Sequence, residues 1–197
     1  MYDIIFVSLD KIHPEYLKIK KQFPLAKIAT DFQHAQRIAL TDFYWIVWDD
    51  LIVNLNSTDL IDIFTINLFS AINFAKALIP IMMANQKGQF IFLTSVVPEM
   101  GLAGTSAYSS SKVALEQFSR NLVTEYGRFG IRSNVIRLGY FDAGLIKTLS
   151  KVDSEKILKR IPAGRFGTID NVNNAVDFIL NSDFLNGSVV DLDGGIS

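Results

Sequence analysis

Apolar runs of strand length alternate along the chain with segments of helical periodicity. Residues 3–9 form a nearly continuous apolar run, which is typical of a strand covered on both faces, and we expect it to be the first strand of a parallel sheet. The alternation as a whole predicts an α/β fold: a doubly wound, mostly parallel sheet in a three-layer sandwich. The other predicted strands are 26–29, 43–47, 89–94, 132–137 and 188–192, and the predicted helices are 14–23, 32–40, 57–78, 108–129 and 170–180.

The helix predicted from residue 57, with Ser57 or Thr58 as its N-cap, is apolar around most of its circumference. Polar residues and Pro80 interrupt the stretch from Leu60 to Met83, so the pattern favours a core or interface helix over a membrane span. One sheet face cannot cover so much apolar surface, and we expect a homo-oligomer, a dimer or a tetramer, to cover the rest. The side chains expected at the interface are Leu68, Phe69, Ile72 and Phe74 of this helix and Leu115, Phe118, Leu122 and Tyr126 of the helix at 108–129.

Composition excludes several classes of protein and of site. Of the 197 residues, 49% are hydrophobic and 20% are charged, and the net charge of −1 differs from that of a polybasic nucleic-acid-binding arm. There is no cysteine, so disulfides, thiolate nucleophiles and cysteine-ligated zinc are excluded. Two lone histidines, His13 and His34, argue against a histidine metal site. We expect no metal ion and no nucleic-acid partner.

The glycines divide the chain into two parts. All 12 lie from Gly88 onward, and no linker-like tract separates the two parts. We therefore interpret residues 1–197 as a single α/β domain in which 1–54 are an atypical segment and 55–197 form the core. Residues 1–7 lack the basic segment and the small-residue cleavage site of a secretory signal, so a cytoplasmic location is expected.

A phenol and an ammonium are predicted to meet at the start of the helix 108–129. Tyr108 and Lys112 are four residues apart, which puts both side chains on one helix face. A neighbouring ammonium favours the phenolate and lowers the pKa of a tyrosine from its ordinary value of about 10, so that the group can exchange a proton with an alcohol or a carbonyl. Ser95 follows the strand 89–94, at the edge of a parallel sheet where ligands bind, and its hydroxyl can polarise the same carbonyl.

A Tyr-x-x-x-Lys pair taken alone is more often a solvent-facing helix pair, but its surroundings change that interpretation. The block 95–112, Ser-Val-Val-Pro-Glu-Met-Gly-Leu-Ala-Gly-Thr-Ser-Ala-Tyr-Ser-Ser-Ser-Lys, resembles the active-site segment of the short-chain dehydrogenases/reductases. Within that family it is most similar to the 3-oxoacyl-(acyl-carrier-protein) reductases. The resemblance continues through 130–139, 162–167 and 187–195, and it covers about residues 59–197.

The resemblance implies a role for each of four residues. Tyr108 is the general acid/base, Lys112 lowers its pKa and holds the nicotinamide ribose, and Ser95 orients the substrate carbonyl. Asn67, in Phe-Thr-Ile-Asn-Leu-Phe, is similar to the family's asparagine that kinks its helix and holds a water in the proton relay. The implied activity is that of an oxidoreductase acting on a small-molecule carbonyl or secondary alcohol.

The implied cofactor is NAD or NADP, and three segments that would contact it depart from the family pattern. Residues 8–14 contain no glycine where the family has a glycine-rich turn against the pyrophosphate, and Asp10 would face the phosphates. Asn54 alone remains of an Asn-Asn-Ala-Gly turn. In 138–143, Gly139 and Phe141 take cofactor-binding positions, but the family's proline and threonine are replaced. We expect weaker cofactor binding than the family norm and a fold shortened in its N-terminal half.

Residues 1–54 have a fainter resemblance, to the opening of nucleotide-sugar glycosyltransferase-type domains. Such domains end the corresponding strand in Asp-x-Asp, which holds a divalent metal, whereas this chain has Trp48-Asp49-Asp50. Three hypotheses follow. The first is the NAD(P)-dependent oxidoreductase, the second is a catalytically silent relative that serves as a binding or oligomerisation module, and the third is a nucleotide-sugar-linked protein that uses residues 1–54.

Overall fold

The computed structural model describes residues 6–7, 50–142 and 150–197. A π-helical turn (Thr65–Phe69) joins the helices Ser57–Phe64 and Ser70–Asn85, and a 3-10 turn (Gly127–Phe129) follows the helix Ser106–Tyr126. The strands are β1 (Phe6–Val7), β2 (Gly88–Ser95), β3 (Ile131–Leu138) and β4 (Val189–Leu192). The helices are α1 (Ser57–Phe64), α2 (Ser70–Asn85), α3 (Val97–Met100), α4 (Ser106–Tyr126), α5 (Lys151–Leu158) and α6 (Ile169–Asn181).

The sheet has the order β1-β2-β3-β4 within the described residues. Strands β2, β3 and β4 are parallel, with Ser95 level with Leu138 and Leu138 level with Leu192. Their carboxyl ends therefore meet at one edge of the sheet, and the predicted strands 89–94, 132–137 and 188–192 are confirmed. The prediction that the run 3–9 starts a parallel strand is wrong in direction, because Phe6–Val7 pairs antiparallel with β2. An apolar run indicates burial, but the direction of a strand depends on the connection that returns the chain to the sheet.

Helices cover both faces of the sheet, which confirms the α/β sandwich. Side chains of β2 alternate: Phe90 and Phe92 belong to the apolar cluster that includes α2 and α4, and Ile91 and Leu93 belong to the cluster with α6. All four are buried. A strand that is apolar on both faces needs a layer on each side, which is the three-layer arrangement expected from the sequence.

The N-cap of the long apolar helix differs from the predicted one. Asn56, not Ser57 or Thr58, is the N-cap of α1, because its side-chain oxygen accepts the Asp59 N–H. The helix is regular until the π-helical turn and then continues as α2. Residues 57–85 together are long and apolar enough to cross a membrane, yet 56% of the most apolar window is buried inside the protein, as in a core helix.

Four of the eight side chains expected at an oligomer interface lie in the core of the single chain. Leu68, Phe74, Leu115 and Leu122 are all buried between the helices and the sheet. Helix periodicity indicates which side chains share a face, but it does not say whether the covering surface belongs to the same chain. Of the eight expected residues, Phe69 is the one with a large exposed fraction, 48%.

Several predictions fall on residues outside the described ranges. These are the strands 26–29 and 43–47, the helices 14–23 and 32–40, the turn at 8–14, and the side chains of His13, His34 and Asp49.

The packing of α4 against the sheet gives a test of the core. Leu115 is fully buried, so Leu115→Ala should lower the free energy of unfolding by about 2–5 kcal/mol through lost burial and a residual cavity. Val113 lies on the same helix and is half exposed, so Val113→Ala should change it by no more than about 0.5 kcal/mol. Denaturant unfolding of the two variants measures both values, and equal losses would contradict this placement of α4.

Candidate active site

Ser95 lies at the carboxyl edge of the parallel sheet, as its position after a strand predicted. It is the last residue of β2, it is 4% exposed, and its Oγ accepts the Val97 N–H at 3.2 Å. That hydrogen bond ties the serine to the start of α3, which leads into the loop before α4. The hydroxyl is thus held at the edge where ligands of parallel α/β sheets bind.

Helix α4 buries a phenol and an ammonium on one face. Tyr108 and Lys112 are each 1% exposed, and the Lys112 Nζ lies 5.7 Å from the centre of the Tyr108 ring. The ammonium also donates to the Leu93 carbonyl at 3.5 Å, two residues before Ser95. The solvent-facing alternative is therefore wrong, because both side chains point into the protein. A buried ammonium is costly without acceptors, so its burial here indicates a dedicated position.

Two glycines shape the loop before α4. Gly101 ends α3 with φ +58° and Gly104 follows with φ +85°, a region that L side chains rarely adopt. The Gly104 carbonyl accepts the Asp50 N–H at 3.1 Å, which brings residue 50 beside the active-site loop. The loop glycines quoted in the sequence pattern are thus required by backbone conformation.

Asn67 lies in the π-helical turn and reaches across to α4. Its Nδ2 donates to Ser111 Oγ at 3.1 Å, and Ser111 Oγ donates to the Tyr108 carbonyl at 2.6 Å. Both side chains are buried. The irregular helix implied by the family resemblance is present at this residue, and its side chain holds the turn of α4 that runs from Tyr108 to Lys112. Sequence reasoning did not single out Ser111, although its place directly before the lysine was visible.

A buried ion pair one helical turn beyond Lys112 was also missed by the sequence reasoning. Glu116 is 7% exposed, and its carboxylate accepts Arg137 Nε at 3.0 Å and Arg137 Nη2 at 2.9 Å. Thr94 Oγ1 donates to the same carboxylate at 2.8 Å. Hydrogen bonding to Glu116 raises the pKa of Arg137 above its ordinary value despite partial burial. Strand alternation and helix periodicity would have placed these three polar side chains on facing surfaces.

Gly139 and Phe141 continue β3 beyond the sheet edge. Gly139 N donates to the Leu192 carbonyl at 3.0 Å, and a Cβ on Gly139 would lie 2.6 Å from the Asp193 Cα. Only glycine permits this approach of the backbones. Phe141 forms an isolated bridge with Gly167, where a Cβ would lie 2.5 Å from the phenylalanine ring. The structure therefore gives both glycines a packing reason and places Gly139 and Phe141 just past the carboxyl edge.

Asp50 forms a turn instead of a ligand cluster. Its Oδ1 accepts the Leu51 N–H and the Asn54 side-chain amide, both at 2.7 Å. In residues 50–142 and 150–197, no group of three or more His, Asp or Glu side chains is arranged to hold a metal ion. Asp49 lies outside the described residues. The hydrogen bonds of Asp50 are those of a turn, so Asp50 gives no support to the metal-binding interpretation.

Asp193 directly follows β4 at the carboxyl edge of the sheet. Its carboxylate accepts the N–H groups of Gly195 and Ser197 at 2.8 and 2.9 Å, and also the Ser197 hydroxyl. Partial burial raises the pKa of Asp193, but these hydrogen bonds outweigh it and hold the pKa below the ordinary value of 3.8. The carboxylate is therefore stabilised in its charged form next to Gly139.

Comparisons with known proteins identify relatives of this chain. A family model described as "Enoyl-(Acyl carrier protein) reductase" matches residues 39–197. The 3-oxoacyl-(acyl-carrier-protein) reductase of Buchnera aphidicola is 31% identical over 153 residues, 77% of this chain and 62% of that relative. The human enzyme of the same name is 36% identical over 148 residues, 75% of this chain and 61% of that relative. The chain thus spans about three fifths of the length of these relatives.

Solved structures give the same fold. A gluconate 5-dehydrogenase from Burkholderia cenocepacia, solved in complex with NADP and tartrate, matches with a TM-score of 0.74 and 24% sequence identity. The match covers 98% of this chain and 84% of that one. At this identity the likeness shows the fold, a Rossmann-like α/β sandwich.

Asp193 should make stability depend on pH in the acid range. Because its pKa is lower in the folded protein, its stabilising contribution is complete above the ordinary value of 3.8 and is lost as the pH falls through the lower folded value. Asp193→Asn should remove this part of the pH dependence, an effect of about 1 kcal/mol or less because the group is partly exposed. Unfolding midpoints measured across this range, with exposed Asp62→Asn as the control, check it. Parallel profiles for wild type and Asp193→Asn would contradict it.

Proposed function

The chain belongs to the short-chain dehydrogenase/reductase family, and from this premise we propose that it is an NAD(P)-dependent oxidoreductase that interconverts a carbonyl and a secondary alcohol. One observation carries the proposal. Tyr108 and Lys112 are both 1% exposed on a single face of α4, beside the strand whose last residue is Ser95. A structural helix pair would have no reason to bury an ammonium against a phenol.

The described residues fit the nicotinamide end of such a cofactor. A phenol and an ammonium are hydrogen-bond donors, and they lie at the carboxyl edge of a parallel sheet, where dinucleotides bind in doubly wound folds. Lys112 and Tyr108 would hold the ribose hydroxyls, and Gly139 and Phe141 would lie beside the ring. When bound, the nicotinamide supplies or accepts the hydride.

The protein's own part of the reaction is proton transfer and orientation. In the reduction, the Tyr108 hydroxyl donates its proton to the carbonyl oxygen, and in the reverse direction the phenolate takes it back from the alcohol. The ammonium of Lys112, 5.7 Å from the ring centre, stabilises the negative charge that the phenolate carries in between. The Ser95 hydroxyl donates to the same carbonyl oxygen and fixes its direction.

Asn67 acts on this group through the backbone of α4. Its hydrogen bond to Ser111, and that of Ser111 to the Tyr108 carbonyl, hold the turn between the phenol and the ammonium. Proton transfer requires the donor within hydrogen-bond reach of the acceptor, so a shift of this turn would slow the reaction. Asn67 would also hold the relay water that the family resemblance implies.

A 3-oxoacyl thioester is the first substrate to test, because two relatives are named as 3-oxoacyl-(acyl-carrier-protein) reductases.

We propose that residues 1–197 work as one domain with a core at 55–197, that the protein acts in the cytoplasm, and that it binds neither membrane nor nucleic acid. The resemblance of residues 1–54 to glycosyltransferase-type domains remains a prediction.

We also propose a homodimer that uses the surface left exposed by the single chain. Ile61, Phe69 and Val113 are 61, 48 and 50% exposed on α1, the π-helical turn and α4. These elements contact one another, so their outer faces adjoin. A second copy of the same surface would remove these apolar side chains from water.

Tyr108→Phe should abolish the oxidation of NADPH by a 3-oxoacyl thioester without unfolding the protein. The ring still fills its buried site, and only the hydroxyl that transfers the proton is lost. Lys112→Met should act in the same direction. Initial rates with each nicotinamide cofactor measure the effect, and circular dichroism verifies the fold. Undiminished turnover in Tyr108→Phe would overturn the assignment of the general acid.

Phe69→Lys should convert the dimer to a monomer. A charge placed on the proposed interface cannot be buried there without a partner, which weakens association. Phe184→Lys is the matched control, because Phe184 is fully exposed in the loop before β4. Sedimentation should give twice the 22.1 kDa chain mass for the wild type and the control, and the single chain mass for Phe69→Lys. A wild-type monomer at micromolar concentration would rule the dimer out.

A further inference from the structure

Glu116, which is ion-paired with Arg137, lies two helical turns after Tyr108, the proposed proton donor, on the buried face of α4. Arg137 is level with Thr94 of β2 on one side and with Asp191 of β4 on the other. This row of three residues crosses the sheet just before its carboxyl edge. Glu116 of α4 contacts two of them, Thr94 and Arg137. Strand alternation places Thr94 on the same face as Phe92, which packs against α4.

Arg137 occupies both oxygens of the Glu116 carboxylate. Nε donates to one oxygen at 3.0 Å and Nη2 to the other at 2.9 Å, which is the two-point geometry that suits a guanidinium. The guanidinium also donates to Asp191 at 3.0 Å and lies 3.5 Å from Glu99. Glu99 and Asp191 are about half exposed, so Glu116 is the buried member of the group.

The Glu116 carboxylate is placed where it could attract the ammonium of Lys112 away from Tyr108. The two residues are four apart on the buried face of one helix, the spacing at which a carboxylate and an ammonium attract each other. In the structure, the ammonium instead lies 5.7 Å from the Tyr108 ring centre and 3.5 Å from the Leu93 carbonyl. A buried carboxylate that lost its cation would be strongly destabilised, and Lys112 could replace that cation.

We propose that Arg137 is a positioning residue of this enzyme: by holding both oxygens of Glu116, it keeps the ammonium of Lys112 directed at Tyr108. This inference rests on the proposed oxidoreductase function and adds a residue that touches neither substrate nor cofactor. The charged groups in contact with Arg137 are Glu116 on α4, Asp191 on β4 and Glu99 on α3. Arg120, four residues after Glu116, is exposed, so removal of Arg137 leaves Lys112 as the buried cation one helical turn from Glu116.

The proposal predicts an asymmetry that a purely structural ion pair would not produce. Arg137→Met should lower kcat about tenfold or more with KM changed by less than about threefold, because the positioned charge matters most in the transition state. Glu116→Gln removes the competing carboxylate and should stay within about threefold of wild type. The double variant Glu116→Gln/Arg137→Met should recover most of the kcat lost in Arg137→Met, a coupling that a double-mutant cycle measures.

A second readout does not depend on turnover. The pH at which the Tyr108 phenolate forms is followed by near-ultraviolet absorbance, as the difference between each protein and its own Tyr108→Phe counterpart. Arg137→Met should raise that pH by about one unit or more, and the double variant should return it toward wild type. If the wild type reduces no carbonyl, the proposed function fails, but this titration still decides the role of Arg137.

The control variant comes from β3, the strand that also carries Arg137. Arg132 also lies on β3, where its guanidinium donates to the carbonyls of Ile179, Ser182 and Leu185 at the far end of α6. Arg132→Met should lower the unfolding midpoint without moving the phenolate titration. If Arg137→Met does not fold, Arg137→Gln and Glu116→Gln/Arg137→Gln replace the pair, since glutamine is polar but carries no charge to hold the carboxylate. An unchanged titration in the Arg137 variant, or a double variant as impaired as the single one, would overturn the proposal.

Discussion

The packing of one face of α4 against strands β2 and β3 is the constraint on which the site depends. That face is apolar at Leu115 and Leu122, which join the core, and polar toward the carboxyl edge of the sheet, where Lys112 and Glu116 are buried. The apolar half stabilises the contact through burial. The polar half is tolerated because groups of β2 receive it: Lys112 donates to the Leu93 carbonyl and Glu116 accepts the Thr94 hydroxyl, and these contacts fix the position of α4 along the strand.

A second contact holds the first turns of the same helix. The π-helical turn brings the Asn67 amide to Ser111 within the turn that carries Tyr108 and Lys112. A regular helix would direct the side chain at this position differently, and such insertions are frequent at functional sites. Helix α4 is therefore held by hydrogen bonds from the adjacent helix and by buried charges from the sheet, and the proposed proton donor lies between the two.

Much of the fold and part of the site could be predicted from the sequence, for physical reasons that differ between residues. The strands at 89–94 and 132–137 were predictable because both segments have strand length and β2 is apolar on both faces, and the meeting of Tyr108 and Lys112 followed from a fixed helical spacing. The antiparallel direction of Phe6–Val7 was not, because an apolar run carries no direction. The coverage of Leu115 was misjudged since a helix pattern does not identify the covering surface. The pair Glu116–Arg137 joins residues from a helix and a strand, and its pairing becomes visible only when the register of the sheet is known.

The central claim is that the buried phenol and ammonium of α4 serve hydride transfer between a nicotinamide and a carbonyl carbon. It is tested most directly by incubating the protein with a 3-oxoacyl thioester and NADPH that carries deuterium at the nicotinamide carbon that donates the hydride. A parallel incubation uses NADH labelled in the same way. Mass spectrometry of the product should find a single deuterium on the carbon of the new alcohol for at least one of the two cofactors. An unlabelled alcohol, or no alcohol from either cofactor, would contradict the claim.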